Sequence, residues 1–404
     1  MEKVIFTTKE LCEKIDPLMK LVPSKPIFPI LNCLFFIFED HKTSICASDL
    51  QSIMSVEIEM ENNFNCQIAI PAKIFADTIK NINEENITLE INDKDLIMCI
   101  KTNNGEYRIN GDATKGFPSF KIDNKKTIFN FNSKTIKKEL EKTLCVVGQE
   151  NLKPVLNGVF FDFKDKNQMS LVATDIHRLI QIDLNAADVE NAISKTEENN
   201  EDTTQEFLSY KNGEKTLNEN LSFILPKKTC QILIAILPED EKIQFEVNDK
   251  YFCTRIKDLF FISNIIQGKY PNYKNAFPEN NTNILTVNRI NFLESLKRIL
   301  SFTNTLSYKI KIEIKENGKR MHITGENENF DNKAEEDIDC SYKGKNIAIL
   351  YNIKYVIEML QNMSSEEVVF LLSQGNEKGF SYHASLIKEK GEDSFSGLIM
   401  PMIE

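Results

Sequence analysis

A nearly identical phrase occurs twice in this chain, and this repeat constrains the fold more than any other feature of the sequence. The stretch "ILNCLFFIF" occupies residues 30–38, and "VLNGVFFDF" occupies residues 155–163. Both copies place Leu, Asn and three Phe in the same columns. Strands rich in aromatic and β-branched residues are common, but an Asn held in register inside two of them favours duplication. The chain is therefore predicted to contain repeated domains.

The segments that follow each copy also match. "SICASDLQSI" (44–53) aligns with "SLVATDIHRLI" (170–180), and each is predicted to form a strand that turns at an Asp. Further on, "AIPAKIFADTIKNI" (69–82) aligns with "FILPKKTCQILIAIL" (223–237), each an apolar run with Pro at the first position of a helix. The larger offset of this pair is explained by residues 186–220, whose acidic, polar composition predicts a disordered loop insertion.

A fainter third copy occupies the remainder of the chain. Residues 308–314 alternate like a strand, residues 321–329 occupy the place of the Asp turn, and residues 347–360 read as a strand and a helix. A period of about 125 residues is too long for a solenoid and indicates domain triplication. The predicted domains are residues 1–124, 125–280 and 281–404, with the boundaries in polar, turn-rich segments.

Each unit is predicted to contain two helices, one near its start and one after the Pro. The six predicted helices span residues 7–21, 71–81, 133–147, 226–237, 288–300 and 352–362. Pro17 is expected to bend or break the first. The remaining segments alternate as strands joined by short turns. The predicted fold class is α+β, with helices packed on one face of antiparallel sheet in three tandem repeats.

Composition excludes several classes of protein. The nine cysteines include no C-x-x-C pair and the four histidines no H-x-x-x-H pair, so neither a disulfide framework nor a metal site is predicted, and no cofactor is expected. The N-terminus is charged from its second residue, and the longest nearly apolar run, about 13 residues, is too short to cross a membrane. We therefore expect a soluble, cytoplasmic protein.

The positive charge is concentrated in the predicted helices. The chain has a formal net charge of −11, whereas the six helices together carry about +7, which leaves about −18 for the remainder. The basic candidates are Lys73, Lys80, Lys137, Lys138, Lys142, Lys227, Lys228, Arg289, Lys297 and Arg298, with Lys25 and Lys153 in loops. Such segregation would attract phosphate groups to one surface. The simpler explanation, lysines on the solvent face of amphipathic helices, is favoured by the charge count alone.

The motif "ATDIHR" (173–178) concentrates polar side chains in one short turn. Asp175 and His177 are residue types used in acid–base catalysis. However, no G-x-S-x-G nucleophile, no nearby second His and no G-x-x-x-x-G-K-[ST] loop accompany them. A turn whose side chains satisfy backbone groups is therefore preferred over a catalytic site.

Taken together, these motifs resemble the bacterial DNA polymerase III beta subunit, the sliding clamp. The resemblance rests on "PILNCLFFIF", "IPAKIF", "GFPSF", "VLNGVFFDF", "LVATDIHRL", "GKYPNY", "AEEDI" and "MPM", which follow the family's order and spacing. It covers nearly the whole chain outside residues 186–220. It implies a non-enzymatic head-to-tail homodimer whose six domains form a ring around duplex DNA, with helices inside and sheets outside. Backbone contact without base contact is what sliding requires.

The resemblance also implies partners and site residues. The implied partners are double-stranded DNA, the catalytic subunit of DNA polymerase III, the clamp loader, and repair polymerases, mismatch-repair proteins and ligase that carry a clamp-binding peptide. A groove between domains 2 and 3 would receive these peptides. Its expected residues are Leu156, Thr174, Ile176, His177, Arg178, Leu179, Pro271, Asn275, Ala276, Leu398, Ile399, Met400, Pro401 and Met402. The expected DNA-binding residues are Lys25, Lys73, Lys137, Lys138, Gln149, Lys153, Lys227, Arg289, Lys297 and Arg298.

The sequence departs from the family's pattern at three places. Ile176 stands where Gly is common, so the turn is expected to differ or the groove to narrow. Asn275 stands where Arg is common, and the chain ends Ile403-Glu404 instead of Arg-Leu. Less tolerance for acidic peptides follows from this loss of positive charge. Two rival hypotheses stay open: an enzyme of nucleic-acid metabolism that uses Asp175 and His177, and a scaffold of tandem domains that does not close into a ring.

Overall fold

The computed structural model describes most of the chain, and every statement about structure below refers to this described part. The described residues are 1–60, 64–122, 127–149, 152–165, 168–185, 189–190, 208–210, 222–374, 379–381 and 383–403. Within them, no helix combines the length and apolar character needed to cross a membrane.

The predicted triplication is confirmed by the order of elements, because each repeat follows the order βαββββαβββ. The first repeat consists of β1 (Glu2–Thr7), α1 (Thr8–Met19), β2 (Cys33–Glu39), β3 (Lys42–Ser48), β4 (Ser52–Glu59), β5 (Cys66–Pro71), α2 (Ala72–Lys80), β6 (Asn86–Asn92), β7 (Ile97–Lys101) and β8 (Glu106–Asn110). Strand β9 (Phe120–Ile122) follows it.

The second repeat has the same ten elements plus two short strands in the segment predicted to be an insertion. It consists of β10 (Thr127–Asn132), α3 (Ser133–Leu144), β11 (Gly158–Asp165), β12 (Gln168–Thr174), β13 (Arg178–Leu184), β14 (Val189–Glu190), β15 (Leu208–Tyr210), β16 (Phe223–Pro226), α4 (Lys227–Ile236), β17 (Lys242–Val247), β18 (Tyr251–Ile256) and β19 (Leu259–Asn264). Apart from β14 and β15, residues 186–220 lie outside the described residues, so the predicted disorder is not tested.

The third repeat completes the series. It consists of β20 (Asn283–Asn288), α5 (Arg289–Leu300), β21 (Lys309–Ile314), β22 (Arg320–Asn327), β23 (Asn332–Lys343), β24 (Ile347–Asn352), α6 (Ile353–Gln361), β25 (Glu367–Leu372), β26 (Ser385–Glu389) and β27 (Glu392–Ile399). Short 3-10 helices span Pro29–Asn32, Pro154–Leu156 and Tyr273–Ala276.

The strands join into sheets that combine neighbouring repeats. Unit 1 (residues 1–134, 190–219 and 231–265) and unit 2 (residues 135–189, 220–230 and 266–404) are the two compact units of the chain. In unit 1, a four-stranded sheet has the order β1-β6-β7-β8, and a nine-stranded sheet has the order β14-β10-β17-β18-β19-β4-β3-β2-β5, with β14 at its edge. In unit 2, twelve strands have the order β16-β11-β12-β13-β27-β26-β25-β20-β23-β22-β21-β24. The small β15–β9 pair is parallel, whereas the antiparallel arrangement predicted from sequence holds for the long strands.

Two equivalent strand pairs connect neighbouring repeats, each inside one unit. At the first junction, β19 of the second repeat pairs with β4 of the first, with Ile262 opposite Ile53. At the second junction, β27 of the third repeat pairs with β13 of the second, with Leu398 opposite Leu179. In both, the last strand of one repeat extends the sheet at the fourth strand of the preceding repeat.

The core follows from the apolar strands and the apolar faces of the helices. Residues Cys33–Phe38 of β2 are all buried, and Phe36 meets Phe75 of α2 edge to face, with ring centroids 5.1 Å apart. Helix α1 packs on β3 and β4, and α5 packs on β22 and β23. Burial of both faces explains why these strands read as nearly continuous apolar runs.

A break of α1 at Pro17 and helices that begin at Pro71 and Pro226 were wrong expectations. The helix α1 does not break at Pro17 but continues to Met19. Pro17 lies close to the end of the helix, so its missing N–H interrupts the hydrogen bonding only near that end. Pro71 and Pro226 are not the first helical residues. They end strands, and their helices begin at Ala72 and Lys227.

Candidate functional site

The "ATDIHR" motif forms the turn between β12 and β13, and its side chains bond to its own backbone. The Asp175 Oδ1 atom accepts hydrogen bonds from the backbone N–H groups of His177, at 3.0 Å, and Arg178, at 2.9 Å. Thr174 Oγ1 donates to the carbonyl of Arg178 and accepts from the N–H of Ile176. The preference for a structural turn over an acid–base pair is in line with this use of Asp175.

Ile176 adopts a backbone angle that its side chain resists. Its φ is 78°, in the left-handed region where a β-branched residue is a genuine outlier. The turn that a Gly would favour is therefore retained despite the Ile, and the side chain is half exposed. The expectation that the turn would differ from the family's, or that the groove would narrow, stays a prediction.

Arg178 is the most heavily engaged side chain at this turn. It is 7% exposed, its Nε atom donates to Asp175 Oδ2 at 2.9 Å, and one terminal nitrogen donates to the carbonyl of Cys145 at 2.8 Å. The same nitrogen contacts Glu358 of α6. The guanidinium lies over the ring of Tyr355, 4.5 Å from its centroid. Although burial acts to lower the Arg178 pKa, Asp175 and Glu358 raise it further, so the group is a fixed cation.

An apolar floor lies beside this turn. It consists of the buried residues Leu156, Val172, Leu179, Ile224, Tyr270, Tyr273 and Leu398. The ring of Phe160 stacks on Tyr270 with centroids 4.5 Å apart. The Tyr273 hydroxyl donates to Asp162 Oδ2 at 2.7 Å, and burial together with this carboxylate raises the Tyr273 pKa. Three residues expected in the groove, Leu156, Leu179 and Leu398, are thus brought into one cluster.

The last described residues run past the same turn. Ile399 lies opposite Arg178, the N–H of Met400 donates to the carbonyl of His177 at 2.8 Å, and the N–H of Met402 donates to the carbonyl of Leu350. Ile399 and Pro401 are buried, and Met400 is half exposed. The structure therefore places the "MPM" segment beside the turn at residues 174–178. Glu404 lies outside the described residues.

The other expected groove residues lie on an exposed loop. Pro271, Asn275 and Ala276 are exposed and flank the floor residues Tyr270 and Tyr273. The Asn275 side chain accepts a hydrogen bond from Asn272. Sequence reasoning missed Tyr270, Tyr273, Asp162, Tyr355 and Glu358. The "GKYPNY" motif contains the two floor tyrosines and could have indicated them, whereas no local pattern marks Tyr355 or Glu358.

The basic residues expected to contact DNA differ in how free they are. Lys25, Lys73, Lys138, Gln149, Lys153 and Lys297 are exposed, and Lys137 and Lys227 are half-buried. The Arg289 guanidinium donates to the carbonyls of Ser365 and Leu360, and Arg298 makes two hydrogen bonds to Glu336, at 2.8 and 2.7 Å. Both guanidinium groups are thus already hydrogen-bonded within the protein. Lys142, counted among the basic candidates, is buried against Glu389 and is not a surface cation.

Within the described residues, no group of three or more His, Cys, Asp or Glu side chains is placed to hold a metal ion. Burial raises the pKa of Cys46 and of Cys145 to about 12, so both thiols stay protonated at neutral pH. The arrangement near residues 174–178 offers an apolar floor, a fixed cation and exposed methionine instead of a nucleophile.

Family models match the chain in three segments. The model of the DNA polymerase III beta subunit N-terminal domain matches residues 2–121, the central-domain model matches residues 130–196, and the C-terminal-domain model matches residues 274–403. The beta sliding clamp of Haemophilus influenzae is 22% identical over 399 residues, 98% of each chain. That of Buchnera aphidicola is 23% identical over 366 residues, which is 90% of this chain and 91% of that protein.

Solved structures show the same fold. The DNA polymerase sliding clamp of Pseudomonas aeruginosa, crystallised with a ligand, aligns over 100% of both chains with a TM-score of 0.85 and 18% identity. The DNA polymerase III beta subunit of Thermotoga maritima aligns over the same fraction with a TM-score of 0.83 and 21% identity. At this identity the structural likeness concerns the fold alone.

Proposed function

Because this chain belongs to the DNA polymerase III beta subunit family, we propose that it is a DNA polymerase processivity factor, a homodimeric sliding clamp that encircles duplex DNA. Its three clamp domains are residues 1–124, 125–280 and 281–404. The clamp holds DNA by enclosure and reads no bases. By tethering the polymerase, it makes rebinding to DNA an intramolecular event at high effective concentration.

The observation that carries this proposal is the rule by which neighbouring repeats join. The last strand of one repeat, β19 or β27, pairs with the fourth strand of the preceding repeat at both junctions. Among the described strands, β8 pairs only with β7, and residues 332–339 of β23 pair only with β22. If the rule continues between two copies, β8 of one copy pairs with β23 of the other. Two such contacts, head to tail, close a ring of six domains.

The two edges differ in charge. Strand β8 carries one exposed cation, Arg108, and one exposed anion, Glu106, whereas residues 332–339 of β23 carry the exposed Glu335, Asp337 and Asp339 against one exposed cation, Lys333. Free strand edges are natural sites for pairing with another chain. A second copy that satisfies both edges removes them from solvent, which supports the closed homodimer over a non-ring scaffold.

DNA contact is proposed for the basic residues expected from the sequence. The exposed Lys25, Lys73, Lys138, Lys153 and Lys297 are the best placed to neutralise phosphates. Gln149, Lys137 and Lys227 are secondary candidates, and Arg289 and Arg298 already bind protein acceptors. Contacts to phosphates, without contacts to base edges, allow the ring to move along the duplex.

Partner docking is proposed at the second junction, on the apolar floor and its polar rim. The floor would take aliphatic or aromatic anchors of a short peptide, and the rim from Thr174 to Arg178 with Met400 to Met402 would fix its orientation. The proposed residues are those expected from the sequence, Leu156, Thr174, Ile176, His177, Arg178, Leu179, Pro271, Asn275, Ala276, Leu398, Ile399, Met400, Pro401 and Met402. The proposed partners are the polymerase catalytic subunit, the clamp loader and other proteins with a clamp-binding motif.

We also propose that the protein has no enzymatic activity and acts in the cytoplasm. Both oxygens of the Asp175 carboxylate accept hydrogen bonds from its own turn. The rival enzyme hypothesis would need this group as an acid or base.

The ring is tested by loading on DNA. The protein is loaded with a clamp loader on nicked circular DNA, washed at high salt, and the DNA is then linearised. A ring stays on the circle at high salt and leaves through free ends. Loss governed by salt alone, equal on circles and linear DNA, would indicate ordinary electrostatic binding and contradict the proposal.

A matched pair of variants tests ring closure. Tyr107→Glu places a charge on the exposed face of β8 and is expected to yield monomers by light scattering. Ile5→Glu introduces the same charge at an exposed apolar residue on β1, the opposite edge of the same sheet, and should leave the dimer intact. Equal behaviour of the two variants would exclude β8 as the closing edge.

A further inference from the structure

The guanidinium at the second junction is already satisfied by the protein. Of the five N–H donors of Arg178, one bonds Asp175, one bonds the carbonyl of Cys145, and one faces the carbonyl of Tyr355 at 3.4 Å. A fourth faces the Glu358 carboxylate. Because these partners hold the group against the Tyr355 ring, it has little capacity left for a carboxylate on a bound peptide.

Charge at this end of the groove is therefore negative. Two carboxylates, Asp175 and Glu358, meet one guanidinium, which leaves an excess of one negative charge. Asp175 is directed into its turn, but the Glu358 side chain is 45% exposed. Among the described residues, the carboxylate of Glu358 has no second cation. Its second oxygen has no hydrogen-bond donor among the described residues, so a ligand can reach an unused acceptor there.

A second ion pair beside the floor lacks this excess. There Lys274 lies 3.7 Å from Asp162, so one cation meets one carboxylate. His177 stacks on Tyr355 with ring centroids 5.8 Å apart, so the ring that lies under the Arg178 guanidinium also contacts the exposed turn. Of these two ion-paired sites, only the one at α6 thus carries an excess of negative charge.

We propose that Glu358 is a specificity-determining residue of the docking groove, selecting peptides with a basic side chain beside their apolar anchors over peptides with an acidic one. This inference rests on the proposed docking function. Its physical basis is an exposed carboxylate with an unused acceptor, next to an arginine that cannot offset it. A peptide cation gains a partner there, whereas a peptide carboxylate meets net repulsion.

The test uses the full-length protein and two labelled ten-residue peptides. Both have Leu and Phe anchors, and their polar positions beside the anchors are either Lys or Asp. Fluorescence anisotropy gives the ratio of their affinities. Because the whole chain has a net charge of −11, a general preference for the Lys peptide is expected. Glu366→Gln, at an exposed glutamate in the segment between α6 and β25, makes the same change in charge and controls for this.

The expected result is a change in that ratio in one variant only. Glu358→Gln should lower the preference for Lys over Asp by about threefold, the effect of one exposed ion pair, and Glu358→Lys should lower it further. Glu366→Gln should leave it unchanged. Equal effects of Glu358→Gln and Glu366→Gln, or none, would overturn the inference while leaving docking intact. Failure of both peptides to bind the unmodified protein would instead overturn the docking function itself.

Discussion

The two junctions between repeats have nearly the same backbone and differ in a few side chains. At the first junction Asp49 Oδ1 accepts from the N–H groups of Gln51 and Ser52, as Asp175 does at the second from His177 and Arg178. Leu50 has φ 75° where Ile176 has φ 78°. The frame of the site is therefore a property of the repeated fold.

The aromatic packing is repeated as well. Phe35 stacks on Phe117 with centroids 4.8 Å apart, and the equivalent Phe160 stacks on Tyr270 at 4.5 Å. What differs is the residue that begins the fourth strand. At the first junction the Ser52 hydroxyl donates a hydrogen bond to the Ser263 hydroxyl. At the second junction Arg178 contacts two carboxylates and an aromatic ring. Specific chemistry at the second junction thus comes from substitutions on a shared frame.

The junctions also share an ion pair that differs in burial. In each, a lysine of the first helix meets an acidic residue of the following repeat. Lys14 and Asp258 are 25% and 34% exposed, but Lys142 and Glu389 are 4% and 0% exposed. Glu389 further accepts from the N–H groups of Ser364 and Ser365. The ion pair is half-buried at the first junction and part of a fully buried network at the second.

The largest effect is expected when this pair is broken. Lys142→Met leaves Glu389 buried without its cation and should lower the free energy of unfolding by about 3 kcal/mol or more. Lys14→Met removes a half-buried pair whose carboxylate still reaches water, and should cost about 1 kcal/mol. Hydrogen exchange of β27 and β19 amides measures each junction separately. Equal losses in the free energy of unfolding at the two junctions would show that burial does not determine how much each ion pair contributes.

A smaller effect is expected when the two turns are made alike. Arg178→Ser gives the second turn the residue of the first, and should lower the affinity for an anchor peptide about tenfold by removing the support of Tyr355 and Glu358. The loss in stability should be about 2 kcal/mol, since Asp175 loses its cation. The turn itself should persist, because backbone amides still bond Asp175. Ser52→Ala is the control, and it should leave peptide binding unchanged.

The repeat and the turn could be predicted from sequence because both depend on local patterns. Leu156, Leu179 and Leu398 lie in or beside apolar segments, and the repeated phrases show that such segments are equivalent. The motif "ATDIHR" contains the residues that form the turn. The partners of Arg178 could not be predicted, since Cys145 and Tyr355 lie 33 and 177 residues away along the chain. Their approach depends on how β13 meets the third repeat.

Lys142 illustrates the same limit. By composition it belongs with the lysines on the solvent face of an amphipathic helix, and nothing in its neighbours marks it as buried. Lys142 is enclosed by the β26–β27 hairpin, which lies more than two hundred residues further along the chain and contributes Glu389 and Glu392. Long-range contacts of charged residues leave no periodic signal in sequence, whereas apolar residues do.

The strained residue of each turn offers a direct comparison. Ile176→Gly should raise the free energy of unfolding by about 1 kcal/mol, because Gly adopts positive φ without the clash of a Cβ. Leu50→Gly at the first junction should give a smaller gain, since Leu is not β-branched. Thermal unfolding of the two variants measures both. A loss of stability in Ile176→Gly would mean that packing of the Ile side chain outweighs its backbone strain.

The smallest expected effect is a pH dependence confined to the second junction. Burial raises the pKa of Glu139 above its ordinary value of 4.5, although Lys142 and Lys138 oppose this shift. The folded state therefore binds a proton more readily than the unfolded state, and the contribution of Glu139 to stability falls as pH rises from 4.5 through the raised pKa. The Glu139→Gln variant lacks this titration, so its stability relative to the unmodified protein should rise over that window. Thermal unfolding from pH 4 to 8 measures the difference. A difference that is constant with pH, or that falls as pH rises, would show that the ion pairs of Glu139 dominate its burial.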